Sequence, residues 1–270
     1  MAPDTSMDTC APHVSEAAAS FYADALFLLD RAAVPYLVGG SYAFASYSRI
    51  SRETKDFDIF LMRDDLPRAL EVFERSGCTT ELPFPHWLGK VHSGDHFMDL
   101  IFSSGNGVAR VDESWFEHAV DADVLGRRMR LCPAEEMIWS KAYVQERERY
   151  DGADVMHLIR ALGPTLDWAR LIARFGDHWR LLLSIVVLFG FVYPDHRRQI
   201  PAGVLSELLR RLDGDGADAA DRVCHGTLLS REQYLVDLEQ FGYADARVQP
   251  LGNMTEQETR IWTDAIRTQK

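Results

Sequence analysis

Cysteine is scarce in this chain: Cys10, Cys78, Cys132 and Cys224 stand far apart, with no CxxC pair among them. That spacing excludes a small disulfide framework and predicts free thiols, mostly buried, in a reducing compartment. Positive charge is in short supply as well. Against 41 Asp and Glu there are 29 Lys and Arg, and the formal net charge of −12 argues against a strong general affinity for nucleic-acid backbones. A secretory leader is missing from the start: residues 1–13, MAPDTSMDTCAPH, are polar, so a frayed N-terminus and a cytoplasmic protein are expected. The most apolar run, Leu181 to Tyr193, has thirteen residues, too few to span a bilayer, and is expected to be a buried helix with no membrane role. There is no internal repeat and no low-complexity segment.

What is present is the composition of an ordinary globular protein, 47% hydrophobic and 26% charged, with chain enough for one large domain or two packed ones. Phe21, Ala25, Leu28 and Leu29 recur at helical spacing and predict a helix ending before Pro35. YLVGG, from Tyr36, reads as a strand stopped by glycines, SYAFASYS as a short helix starting at Gly40 and Ser41, and DFDIFLM, from Asp56, as a second strand. A helix over DDLPRALEVFERSG comes next, capped by Asp64 or Asp65 and closed at Gly77, then strands around CTTEL, in HFMDLIF and in RRMRL. From Pro133 strand signals nearly vanish. Helices are expected over PAEEMIWSKAYVQERERY, DGADVMHLIRAL, LDWARLIARFGDHWRLLLSIVVLFGFV and PAGVLSELLRRL, and a solvated loop over 213–221. The expected fold is α+β, a mixed sheet with flanking helices over 1–131 followed by a helical domain over 132–270.

Two acids sit inside the second strand. Side chains alternate along a strand, so Asp56 and Asp58 share one face while Phe57, Ile59 and Leu61 share the other. Carboxylates that close raise each other's pKa unless a cation lies between them, and a hard divalent ion, Mg²⁺ or Mn²⁺, suits such an oxygen cluster. Gly39 and Gly40, without side chains, let backbone N–H groups approach an anion at a helix N-terminus. A metal beside a phosphate describes a nucleoside triphosphate site. Asp99, flanked by Met98 and Leu100 in another apolar strand, supplies the third acid that a two-metal site wants.

Gly39-Gly40-Ser41, then Asp56-x-Asp58, then Asp99 resembles the signature of the nucleotidyltransferase superfamily, whose fold is that of DNA polymerase beta, over roughly residues 15–105. Within it, RETKDFDIFL followed by the helix opening at Pro133 looks most like the bacterial orphan and toxin–antitoxin-associated branch. The resemblance implies transfer of NMP from an NTP, ATP included, to an acceptor hydroxyl of a small molecule, a protein or an RNA. By the same resemblance Asp56 and Asp58 hold both metals, Asp99 completes the metal site and helps activate the hydroxyl, and Gly39, Gly40 and Ser41 bind the β,γ-phosphates. Lys141, with Asp151 downstream, would approach the triphosphate from the helical half. The insertion ISRETK leaves Arg52, Thr54 and Lys55 without assigned parts.

Blander readings stand beside these. A lysine in a long helix is usually solvated, ERER before Asp151 reads as a solvated charge run, and Trp139, Trp168 and Trp179 read as packing residues. His92, Asp95, His96 and Asp99 have the residue types of a zinc site, but on one strand the histidines face away from the acids. GTLLSREQYLVDLEQFGYADAR, from Gly226, is expected to dock as a helix, with contact to the acceptor as the sharper alternative. The rival to an enzyme is a non-catalytic nucleotide-binding or toxin–antitoxin module on the same fold.

Overall fold

The computed structural model describes residue 12 and residues 14–214 and 222–268 of the chain. Residues 1–13, apart from residue 12, where fraying was expected, and residues 215–221 of the expected loop lie outside the described residues, as does Cys10. Helix α1 (Glu16–Arg31) starts where Ser15 Oγ accepts from the Ala18 N–H at 3.2 Å, and it buries Tyr22, Ala25, Leu26 and Leu29. Strand β1 (Leu37–Val38), helix α2 (Gly40–Ser48), strand β2 (Asp58–Phe60) and helix α3 (Leu66–Arg75) follow in the expected order. After them come β3 (Thr79–Phe84), β4 (Leu88–Ser93) and β5 (His96–Ile101), then α4 (Glu113–Glu117), β6 (Val120–Val124) and β7 (Arg127–Leu131). Strands β4 and β6 were not expected. β4 sets Leu88 and Val91 three apart, out of step with a period of two, while β6, VDADV, does alternate but is only five residues long and carries two aspartates, a residue depleted in strands.

These strands form one mixed sheet in the order β3-β4-β5-β2-β1-β7-β6. β2 lies at its middle, antiparallel to β1 and parallel to β5. Helices α5 (Ala134–Ala142), α6 (Gly152–Leu162), α7 (Trp168–Phe175), α8 (Trp179–Val192) and α9 (Ala202–Asp213) make the second half largely helical. The remainder adds a two-stranded pair, β8 (Val223–Cys224) and β9 (Ala244–Asp245), with α10 (Leu235–Glu239) between them and α11 (Glu256–Thr268) last. Buried apolar residues of both halves, Ile59 and Leu131 with Ile138 and Leu158, belong to one continuous core. α6 packs directly on α2, so the helical half rests on the helix that begins at the glycine pair.

Several expectations need correction. The helix opening at Pro133 ends at Ala142, and Tyr143 to Asp151 form an irregular segment. Its first-turn acids serve more than a helix dipole. Glu135 and the fully buried Glu136 pair with Arg170 of α7 at 2.6 and 2.5 Å, and Arg174 bridges Glu136 to Asp112. The segment from Gly226 contains a 3-10 turn and the short α10 in place of a continuous helix. Of the described cysteines, Cys132 is buried, whereas Cys78 and Cys224 are only half-buried.

The expected buried helix is a surface helix. α8 turns Leu182, Ile185, Val186 and Phe189 inward and leaves Val187 61% and Phe191 81% exposed. Its helical run extends further than its apolar stretch: Trp168–Val192, 25 residues, is long and apolar enough to cross a membrane by length and composition, with a third of its window buried. The contrast between its two faces is measurable. Phe189→Ala is expected to cost about 3–5 kcal/mol in urea unfolding, as loss of a fully buried ring does. Phe191→Ala should stay within about 0.5 kcal/mol of the wild type.

Candidate active site

The sheet register brings the acids together. In the parallel pairing of β2 with β5, Asp58 lies opposite Asp99, while the Asp99 N–H donates to the Phe57 carbonyl at 3.0 Å. Phe57, Ile59 and Leu61 go wholly into the core, which turns Asp58 and the preceding Asp56 to the other face. One oxygen from each of Asp56, Asp58 and Asp99 lies within 4.8 Å of the other two.

The glycine pair meets this cluster from β1. Gly39 caps α2, and its N–H donates to the Asp58 carbonyl at 2.9 Å. Gly40 has φ +50°, and a Cβ there would fall 1.7 Å from Asp58 Oδ2, while one on Gly39 would fall 2.1 Å from the Phe60 ring. Glycine is therefore required here by the acid's own side chain as well as by any anion. Gly40 lines the cleft; Gly39 and Ser41, although at the same helix start, are not among its lining residues.

Cations surround the acids. Lys90, which sequence reasoning missed, donates to Asp99 Oδ1 at 2.5 Å from the neighbouring strand β4 and lies 4.4 Å from the Phe97 ring centre. The register that exposes this pair, Lys90 opposite Asp99, could not be drawn without β4. Thr54 Oγ1 donates to Asp56 Oδ1 at 2.6 Å, so part of the ISRETK insertion holds the first acid. Arg52 reaches instead to Asp154 at 2.6 Å across the Phe44 ring, and Lys55 offers its carbonyl to Tyr22.

Lys141 lines the cleft and is not solvated: its Nζ holds Asp151 and Asp154, both at 2.9 Å, with 20% of the side chain exposed. Arg149 bonds Asp151 as well, and Glu146 is paired inside the protein, so the ERER run is no plain solvated face. Burial, then Asp56 and Asp99, push the Asp58 carboxyl up to about 7, against the pull of Lys141 and Arg149. Asp99 is also raised, mainly by burial, with Lys90 opposing. Tyr22, behind the cluster, is lifted to about 12 by burial and by the same three acids. Asp151 is lowered: burial acts upward, but Lys141 and Arg149 outweigh it.

The zinc set does not assemble. His92 and His96 lie on the two strands of a hairpin and not on one strand, His92 paired with Glu81 at 3.0 Å and His96 stacked on Phe21. Among the described residues, Asp56, Asp58 and Asp99 are the cluster with metal-ligand geometry.

The C-terminal segment forms the far wall. Thr227, Leu228, Leu229 and Ser230 line the cleft, and Asn106 Nδ2 donates to the Leu228 carbonyl at 2.8 Å. Arg231 clamps the segment to Glu146 through two bonds of 2.6 and 2.8 Å. α11, which carries no motif in the sequence, brings Trp262 to the lining, edge-on to Trp87 at 5.3 Å. Trp139 and Trp168 are buried in the core, as packing residues should be.

Comparison with known proteins places this geometry. Residues 23–127 match the family model described as aminoglycoside-2''-adenylyltransferase. No curated protein sequence matches the chain. The solution structure of the antibiotic-resistance factor ANT(2'')-Ia is similar at 15% identity, over 67% of this chain and 95% of that one, with TM-score 0.41. Lincomycin-bound LnuA, a lincosamide antibiotic adenylyltransferase, gives 17% identity over 54% and 96%, with TM-score 0.39. An antigenic nucleotidyltransferase-like protein from Paracoccidioides brasiliensis gives 16% over 69% and 93%, with TM-score 0.44. The family match supports the superfamily and does not single out the toxin–antitoxin-associated branch. The matched segment holds the glycine pair and all three converging acids, and in that segment the chain is similar to an adenylyltransferase family of the nucleotidyltransferase superfamily.

Proposed function

We propose that this protein is a metal-dependent nucleotidyltransferase that moves NMP from an NTP, ATP among them, to the hydroxyl of a small molecule. The observation that carries the reading is the meeting of three carboxylate oxygens within 4.8 Å beside the backbone at the start of α2. The donor set fits a hard divalent ion, since it is all oxygen and Asp58 resists ionising without a cation. Asp56 and Asp58 would hold two Mg²⁺ or Mn²⁺ ions, with Asp99 completing the site. Such ions would supply positive charge against the oxygens that carry negative charge during nucleotidyl transfer.

The chain's own groups do the rest. Asp99, with Oδ1 fixed by Lys90, receives the proton of the attacking hydroxyl through its carboxylate. Gly40, with Ser41 after it, presents N–H groups of the α2 start to the β,γ-phosphates, while Gly39, whose own N–H is held by the Asp58 carbonyl, shapes the turn before them. Lys141 faces the triphosphate from the helical side of the cleft, held in place by Asp151 and Asp154. A small-molecule acceptor is favoured by the family match, and the acceptor wall is the C-terminal segment.

Calorimetry with each NTP, with and without Mg²⁺, tests the reading, and pyrophosphate release tells an enzyme from a binding module. Mg²⁺-dependent binding is expected in the wild type and should be lost in Asp58→Asn; an NTP affinity indifferent to Mg²⁺ in both would refute the metal role. Lys141→Ala is expected to weaken NTP binding by about 1–3 kcal/mol, the loss of a charge-assisted hydrogen bond. It should also lower the melting temperature, because Asp151 and Asp154 lose their shared ammonium. Wild-type affinity in that variant would remove Lys141 from the site.

Asp58 also imposes a pH dependence on the metal-free protein. Its folded-state pKa of about 7 exceeds the ordinary 3.8, so the folded state keeps a proton that the unfolded state gives up. Stability from this group is present at acid pH and is lost as pH rises through about 7. In chelator, the wild type should therefore lose melting temperature relative to Asp58→Asn between about pH 4 and 7. Parallel profiles for the two proteins would contradict the raised pKa.

A further inference from the structure

Between α5 and α6 the chain carries four charges in a row, Glu146-Arg147-Glu148-Arg149, and the fold sorts them. Glu146 and Arg149 line the cleft; Arg147 and Glu148 do not. The sorting comes from a tight hairpin. The Glu146 N–H donates to the Arg149 carbonyl at 2.8 Å, Gln145 and Tyr150 pair as an antiparallel bridge, and the Asp151 N–H donates to the Val144 carbonyl at 3.1 Å. Arg147 and Glu148 are left at the tip of this two-residue loop.

Arg149 reaches the cleft with its orientation set. Its Nε and Nη2 donate to the two oxygens of Asp151 at 3.1 and 2.9 Å, which leaves Nη1 outside that fork, and 60% of the side chain is exposed. Asp151 Oδ2 also holds Lys141 at 2.9 Å, so one carboxylate sets an ammonium and a guanidinium side by side. Both cations act on the Asp58 carboxyl, which puts the pair on the side of the cleft where the acids meet. A guanidinium held in this way gives up little rotamer freedom on meeting a ligand, and its planar donors match phosphate oxygens.

The C-terminal segment in turn holds the hairpin. The Gln145 N–H donates to the Leu229 carbonyl at 3.1 Å. Glu146 takes the Arg231 guanidinium through bonds of 2.6 and 2.8 Å and the Arg231 N–H at 3.2 Å. With these two side chains only 8% and 10% exposed, removing one partner strands the charge of the other. Glu146 is also the residue whose backbone is bonded to Arg149, so a disturbance at Arg231 is passed to Arg149 through one hydrogen-bonded pair.

Resting on the nucleotidyl-transfer reading, we propose that Arg149 binds the β,γ-phosphates beside Lys141, and that Glu146 and Arg231 are the positioning residues that hold it there. In the transfer, the α-phosphorus forms its new bond to the acceptor oxygen as its bond to the β-phosphate oxygen breaks. The electron pair of the broken bond leaves with pyrophosphate, the group that Arg149 holds, and the hydroxyl proton passes to Asp99. Grip on the triphosphate then depends on a docked C-terminal segment, and the acceptor wall and the phosphate side of the cleft are assembled together.

Calorimetric titration of the full chain with Mg²⁺ and each α,β-methylene NTP, and with Mg²⁺ and pyrophosphate, tests this. Arg149→Ala is expected to weaken both kinds of ligand about tenfold or more, as loss of a charge-assisted hydrogen bond does. Arg147→Ala removes the same charge from the tip of the same hairpin and should change neither by more than about twofold, since a screened surface charge acts weakly at a distance. Arg231→Gln should weaken the triphosphate analogue in the wild-type background but by less than about twofold when Arg149→Ala is already present, because its effect runs through Arg149. Arg231→Lys should recover part of the loss. Should Arg231→Gln fail to show the wild-type circular dichroism, Glu146→Gln takes its place in the cycle. Wild-type affinity in Arg149→Ala, equal losses in Arg147→Ala and Arg149→Ala, or a loss confined to the triphosphate with pyrophosphate unaffected would overturn the role of Arg149. Additive losses in the double variant would overturn the positioning role of Glu146 and Arg231. Failure of the wild type to bind any of these ligands with Mg²⁺ would instead overturn the nucleotidyl-transfer reading itself.

Discussion

Mutual repulsion among three carboxylates, gathered where the middle of a sheet meets a cleft, sets the terms for the structure around them. Water alone screens such a cluster poorly once it is half-buried, so the fold supplies cations at fixed places. Lys90 comes from the adjacent strand, Lys141 and Arg149 from the helical half. Those cations need anchoring in turn, and Asp151 and Asp154 provide it. The chain of opposite charges runs outward from β2 through α5 to α6, ending at Arg52, which returns to the α/β half from the segment just before Asp56. Ion pairs thereby join the two halves alongside the continuous apolar core.

A second chain of ion pairs fixes the orientation of α5. Its first turn is locked by Arg170 and Arg174 of α7, and Arg174 reaches on to Asp112 at the cap of α4. Holding Glu136 without solvent is expensive unless its partners are rigid, and three elements converge to make them so. The position of Lys141 at the other end of the same helix depends on that lock. The helix that presents a cation to the cleft is thus held at both ends by charges of opposite sign.

Much of this was legible in the sequence, because it follows from local rules. The alternation of Phe57, Ile59 and Leu61 with the acids gives the face of β2, and an acid flanked by Met98 and Leu100 announces itself as out of place. Glycines before a helix mark the place where the backbone comes close to Asp58. Pairing partners were not legible: Lys90 belongs to the site only because β4 lies antiparallel to β5, and β4 has too weak an alternation to be seen. Helix burial was misjudged for the opposite reason. Composition reports how apolar α8 is but not how many neighbours the fold provides for it, and one face is left without any among the described residues. The C-terminal wall was least legible, since Trp262 sits in an ordinary amphipathic helix, and its place opposite Trp87 is set by contacts far away in sequence.

The wall that Trp262 completes has a consequence for the order in which the molecule is made. Glycine loop, acids and Lys90 all precede Leu131, so they can meet while the rest of the chain is still on the ribosome. The stretch from Leu131 to Trp262 takes on the order of ten seconds to emerge at ordinary translation speed. Lys141 and Arg149 are made early in that interval, but the wall completed by Trp262 is not, so the acids wait longest for a closed cleft. A chain at that stage therefore exposes Asp56, Asp58 and Asp99 with fewer counter-charges than the finished fold supplies, and the acids are relieved only as the later elements dock.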